Sequence, residues 1–336
     1  MSGGITQLVA IGAQDAHIVG DPQVSFFRSS YKRHTNFAQV VDRQIIQGTV
    51  NAGNMSTVRF ERKGDLVGYV YMTLSNAAGE AQSIDWRTYV DKVELLIGGQ
   101  IIDTQDSVFT EDIAVDTLAY NLSKSSQGVH GGGNSLIYPL RFSFCENWQS
   151  ALPLVALQYH DVELRIHWGA SISTSDRVDL FSNFIYLDTD EREEMISKPH
   201  DMLITQVQKI TAPNSKIAEL VFNHPVKFLA SKDTTALTVN NNKVKLQING
   251  TDVSESKAAK PNFVEAPAYF HMPSSTAPDI FVYPFCLDTS KLQPTGSLNF
   301  SRLDSARIIS ESANIEADIY AVNYNILRIQ NGMGGV

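Results

Sequence analysis

Along most of the chain apolar and polar residues alternate with the two-residue period of strands that bury one face and wet the other. The plainest run is Val162-Glu163-Leu164-Arg165-Ile166-His167-Trp168, where Val162, Leu164, Ile166 and Trp168 share one side and the polar residues the other. Similar patterns predict strands at 93–97, 101–103, 184–187, 217–222, 244–248, 280–283 and 315–329, separated by Gly, Asn, Asp and Pro where the chain must turn. The stretches 57–60 and 66–74 flank Arg62-Lys63-Gly64-Asp65 and read as a hairpin, with Gly64 supplying a left-handed turn. Helical periodicity is scarce. It predicts a short helix over 109–121, using Ile113, Leu118 and Leu122, and another over 188–195, where acids stand at the positive end of the helix dipole. The pattern as a whole predicts an all-β protein of sandwich type.

The acidic helix, followed by Lys198-Pro199-His200 as a stop, divides the chain almost evenly, and the halves echo one another. Val93, Leu95, Ile97 and Gly99 return as Val244, Leu246, Ile248 and Gly250, offset by 151 positions. Phe144-Cys145, Pro153, Leu157 and Tyr159 return as Phe285-Cys286, Pro294, Leu298 and Phe300, offset by 141. One change of loop length accounts for the difference. A length of 336 residues also suits two units better than one core.

Composition narrows the function. A net charge of −9 argues against a surface that coats nucleic acid broadly. Apolar runs such as 151–157 are far shorter than the roughly 20 residues of a spanning helix. The first residues lack the basic start and apolar stretch of a secretion signal, so the chain is expected to stay where it is made. The two cysteines, Cys145 and Cys286, are far apart and read as buried reduced thiols.

Several stretches resemble the major capsid proteins of nucleocytoplasmic large DNA viruses. They are Gly3-Gly4-Ile5-Thr6-Gln7-Leu8, Gly20-Asp21-Pro22-Gln23-Val24-Ser25-Phe26-Phe27, and Tyr31-Lys32-Arg33-His34-Thr35-Asn36-Phe37 near the start. Further on come Phe144-Cys145-Glu146-Asn147, Ala151-Leu152-Pro153-Leu154, Gln293-Pro294-Thr295-Gly296, Asn299-Phe300-Ser301-Arg302-Leu303-Asp304 and Tyr320-Ala321-Val322-Asn323-Tyr324. The resemblance implies two tandem eight-stranded jelly rolls (a double jelly roll) with short helices in loops. It also implies a homotrimer whose six barrels make a pseudo-hexagonal block, and an icosahedral shell tiled by such blocks and assembled in the host cytoplasm. The expected division is an N-terminal arm over 1–26 on the inner side of the shell, a first roll over 27–187, a linker with a short helix over 188–202, and a second roll over 203–336. The chain is short for this family, which implies trimmed loops. Two competing readings are a carbohydrate-binding jelly-roll protein and a minor capsid paralogue.

A shell subunit needs contacts rather than turnover, and no catalytic residue, cofactor or metal site is expected. His130-Gly131-Gly132-Gly133 has no Gly-x-Ser-x-Gly partner, and His160 and His167 lack the spacing of a zinc site. Residues 88–120 carry Asp91, Glu94, Asp103, Asp106, Glu111, Asp112 and Asp116 against Lys92 alone. Converging carboxylates there would suit a glycosidase or calcium, but a solvated acidic face is the favoured reading. Arg28, Tyr31, Lys32 and Arg33 form a basic, aromatic patch expected to meet neighbouring subunits, minor capsid proteins or an inner membrane surface. Arg302, with its forked donors, and Asp304 are expected to lock a loop. Sequons stand at Asn54, Asn121, Asn249 and Asn299, the last expected to be structural and none to carry ordinary N-glycans.

Overall fold

Alternation becomes pairing in the computed structural model, which describes residues 12–125, 128–129, 133–273 and 279–336. Val162–Trp168 alternates buried and half-buried residues, Val162, Leu164, Ile166 and Trp168 facing the core as their sequence requires. Residues 12–36 form a separate unit with one short helix, Ala16–Val19. The body runs from Phe37 to Val336. No helix among the described residues is long and apolar enough to cross a membrane.

Four antiparallel sheets make up the body. The first holds β1 (Phe37–Gln44), β10 (Arg177–Leu187), β4 (Leu66–Ser75) and β7 (Ile137–Pro139) in that order, with β8 (Leu152–Pro153) added to β4. Facing it is the order β2 (Ile46–Gln47), β3 (Met55–Arg59), β9 (Val162–Trp168), β5 (Val90–Ile97), β6 (Gln100–Asp106). The third sheet runs β11 (His200–Ile210), β20 (Ile319–Gln330), β13 (Pro225–Ser231), β17 (Phe281–Pro284), with β18 (Leu298–Asn299) on β13 and β21 (Met333–Gly335) on β20. The fourth runs β12 (Ile217–Glu219), β19 (Ala306–Ser310), β14 (Lys243–Ile248), β15 (Thr251–Asp252), with β16 (Lys257–Ala258) on β14. In chain order the third sheet repeats the first, with β11, β20, β13, β17 and β18 in the places of β1, β10, β4, β7 and β8, and β12, β19, β14 and β15 of the fourth follow β3, β9, β5 and β6 of the second. Each pair of sheets closes on its own apolar core, and each is a jelly roll.

The first echo falls on equivalent hairpins. β5 turns into β6 through Gly98 and Gly99, and β14 into β15 through Asn249 and Gly250. Both residues of each pair have positive φ, from +49° to +83°, the type I′ turn that matches strand twist. The second echo falls on equivalent connections but out of register. Leu152 pairs with Val67 and Leu298 with Val226, so the structural offset there is 146, not 141.

The expected hairpin around Gly64 does not form. β3 pairs with β2 and β9, whereas β4 pairs with β10, β7 and β8, so the segment crosses from one sheet to the other. Gly64 is needed for space instead: a Cβ there would lie 2.8 Å from Phe184 Cβ. The acidic helix spans Thr189–Ser197, with the Asp188 side chain accepting from Thr189 N–H. Arg192 ties it to Asp65 of the first roll at 2.8 Å. The helix expected over 109–121 is a π-helical turn, Phe109–Ile113, passing into an α-helical turn, Ala114–Thr117.

Candidate assembly interface

The two rolls meet along a seam built from the acid-rich stretch. Phe109, Ile113 and Ala114, which follow β6, are buried against Phe228, Ala230, Val282, Tyr320 and Val322 on the outer face of the third sheet. Phe109 lies 5.7 Å from the Tyr320 ring. Polar groups ring this apolar contact. Tyr320 Oη donates to Asp106 Oδ2 at 2.7 Å, and Lys209 Nζ bridges Asp106 at 2.9 Å and Asp318 at 2.7 Å. Asp112 is held by Arg87 at 3.0 Å and by Lys232 of β13's end. Asp103 accepts from Val207 N–H of β11 at 2.9 Å and from Gln105 Nε2 at 2.8 Å. Burial raises its carboxyl to about 7, against the pull of those donors.

At a second contact the end of the chain returns to the first roll. Tyr159 N–H donates to Gly332 O at 2.9 Å, and His160 Nδ1 lies 2.9 Å from Gly334 O. Ile204, Leu327 and Ile329 of β11 and β20 complete the apolar core of the first roll.

The expected solvated face over 88–120 is therefore corrected. Glu94, Asp103 and Asp116 are 7%, 5% and 8% exposed, and Asp106 and Asp112 are half of inter-roll ion pairs. Their partners Lys209 and Lys232 lie more than a hundred residues away, so no local charge count reveals them. Arg87 stands one residue before the stretch and was within reach of sequence reasoning.

Arg302 and Asp304 are exposed, and no hydrogen bond or ion pair joins their side chains among the described interactions. The loop is held instead by Asn249 Oδ1, which accepts from Asp304 N–H at 3.0 Å and Ser305 N–H at 3.1 Å. Asn299 Oδ1 accepts from Ser301 N–H at 3.1 Å, and Asn121 Oδ1 from Lys124 N–H at 3.1 Å, so two of the four sequon asparagines act as local caps and Asn249 as a long-range one. Arg28, Tyr31, Lys32 and Arg33 lie in the separate 12–36 unit, outside any helix or strand. Both cysteines are buried free thiols, and burial pushes each above its ordinary pKa. Among the described residues no cluster of His, Cys, Asp and Glu has the arrangement of a metal site. His130, Gly131 and Gly132 lie outside the described residues, as does the signature at 3–8.

Comparison with known proteins meets this geometry from the other side. A family model described as "Major capsid protein N-terminus" matches residues 25–195, and one described as "Large eukaryotic DNA virus major capsid protein" matches 191–335. The chain is 33% identical to the major capsid protein of Pyramimonas orientalis virus and 28% identical to that of Paramecium bursaria Chlorella virus 1, over all of this chain and 99% of each relative. Those alignments run to 393 and 438 positions, so this chain lacks insertions that the relatives carry. Among solved structures, a quasi-atomic model of the Paramecium bursaria Chlorella virus 1 capsid matches with a TM-score of 0.76 and 26% identity, over 93% of this chain and 99% of that one. The Faustovirus major capsid protein shares the fold at 10% identity, with a TM-score of 0.66 over 95% and 94% of the two chains. Two jelly rolls of one strand order, joined by a buried seam and matched along their whole length, place this chain in the family of large eukaryotic DNA virus major capsid proteins.

Proposed function

We propose that the chain is a non-enzymatic shell subunit that forms homotrimers, and that the trimers tile an icosahedral capsid built in the host cytoplasm. The observation that carries this reading is the repeated strand order. A protomer made of two like barrels turns three-fold symmetry into a nearly hexagonal outline, which packs side by side without gaps. The arm expected over 1–26 runs in this reading to Asn36, where the separate unit ends, so the first roll begins at Phe37 rather than at 27; the rolls divide at the helix Thr189–Ser197, and the 12–36 unit brings Arg28, Tyr31, Lys32 and Arg33 to neighbouring subunits or to an anionic inner surface.

Light scattering on the purified full chain is expected to give a mass of three copies, unchanged on tenfold dilution. Negative-stain images of the same sample are expected to show hexagonal outlines. A monomer at every concentration would refute the reading. Abundance measured by mass spectrometry of purified particles separates a principal shell subunit from a minor paralogue.

A further inference from the structure

Asn-Gly occurs twice in the sequence, at 249–250 and 331–332, and both pairs form the same kind of turn. β14 enters β15 through the first and β20 enters β21 through the second, with Ile248 paired to Thr251 and Gln330 to Met333. Backbone φ is +49° and +78° in one turn, +53° and +78° in the other, and both asparagines are exposed. Sequence, turn type and exposure therefore do not separate them. Their side chains do. Asn249 Oδ1 accepts from Asp304 N–H at 3.0 Å and from Ser305 N–H at 3.1 Å, whereas no described hydrogen bond holds the Asn331 carboxamide or uses the Gly332 N–H.

An asparagine followed by glycine is open to attack by its own backbone, because a residue without Cβ leaves the next amide nitrogen unshielded and mobile. Gly332 N loses its proton to hydroxide and bonds to Asn331 Cγ, the bond from Cγ to Nδ2 breaks, and the side-chain nitrogen leaves as ammonia with a proton taken from water. Water then opens the cyclic imide at either carbonyl. The product is aspartate or, where the backbone now runs through the side chain, isoaspartate. Ring closure requires Cγ to swing onto the following nitrogen. At Asn249 that rotation breaks two hydrogen bonds, and at Asn331 it breaks none that is described.

We propose that Asn331 is a site of spontaneous deamidation from which Asn249 is protected, and that its isoaspartate product releases β21 from the first roll. The turn and β21 lie close on that roll because Gly332 and Gly334 bring no side chain. A Cβ on Gly332 would stand 2.6 Å from Tyr159 Cδ2, and one on Gly334 2.7 Å from Leu157 Cδ2. Gly332 O accepts from Tyr159 N–H at 2.9 Å, and Gly334 O lies 2.9 Å from His160 Nδ1. Isoaspartate lengthens the backbone by one methylene inside a two-residue turn, so Gly332 and Gly334 lose the register that these contacts need. Neither step depends on how many copies assemble.

The test holds the full chain in warm, mildly alkaline buffer and maps its peptides over time by mass spectrometry, with electron-transfer fragmentation to tell isoaspartate from aspartate. Asn331 is expected to be lost at least roughly tenfold faster than Asn249, a ratio set by two hydrogen bonds of ordinary strength. Amide exchange at Tyr159 is expected to quicken in the aged chain. The aged Asn331→Gln variant, whose longer side chain closes its ring far more slowly, is expected to keep the protection of the fresh protein. Equal rates at the two asparagines, or a faster one at Asn249, would overturn the assignment of the site. Isoaspartate at Asn331 with unaltered exchange at Tyr159, or the same loss of protection in the aged Asn331→Gln variant, would overturn the release of β21.

Discussion

Asp103 carries three donors, yet desolvation wins, and its carboxyl in the folded chain titrates near 7 rather than near 3.8. A folded pKa above the unfolded one means that the native state keeps a proton which the unfolded chain releases. This group's contribution to stability is therefore full below about pH 4, declines as pH rises, and levels off above 7. Asp103→Asn keeps an acceptor for Val207 N–H and removes the charge. Urea unfolding from pH 5 to 8 is expected to show the variant gaining on the wild type with pH, by about 3 kcal/mol across that range. Parallel curves would show that the charge is compensated. Asn249 sets a second test at this scale. It holds φ at +49° and accepts two backbone N–H groups, so Asn249→Ala is expected to cost about 1–3 kcal/mol, whereas Arg302→Ala, which breaks no bond described within the chain, leaves the melting temperature of the monomeric unit unchanged.

At the scale of elements, the Phe109–Thr117 segment carries apolar side chains of the first roll onto the second. Phe109 is fully buried there, and Phe109→Ala is expected to cost about 3–5 kcal/mol, read from chemical denaturation. A cost below about 1 kcal/mol would mean that the seam is not packed as described. The Asp112 cluster at the same site has a different energetic character. Its partners Arg87 and Lys232 are about a third exposed at their side chains, so solvent screens the pairs, and they orient the segment more than they stabilise it.

For the whole molecule, two cores joined by shared residues should behave as one. Ile204, Leu327 and Ile329 are strands of the second roll but core of the first, and Phe109 is the converse. Calorimetry is accordingly expected to show one cooperative transition for the body, with the calorimetric and van't Hoff enthalpies in agreement. Two separated transitions would show that the rolls are independent units linked only by a helix.

What the sequence determined by itself was everything local. The period of two in Val162–Trp168 names the buried side chains of a strand whatever it pairs with, and Asn249-Gly250 accepts the left-handed angles of a hairpin turn because side-chain sterics alone decide that. The chain's long, dispersed signatures carried the family, and with it the two-roll fold. Tertiary structure decided which elements meet. Gly64 lies in a crossing between sheets because β4 finds β10 rather than β3, and Asp106 and Asp112 are half-buried and paired because Lys209, Lys232 and Tyr320 arrive from the other roll. A charge pattern records no partner that lies a hundred residues away. Contacts of that range are selected by packing two complete sheets face to face, and only the folded chain supplies both.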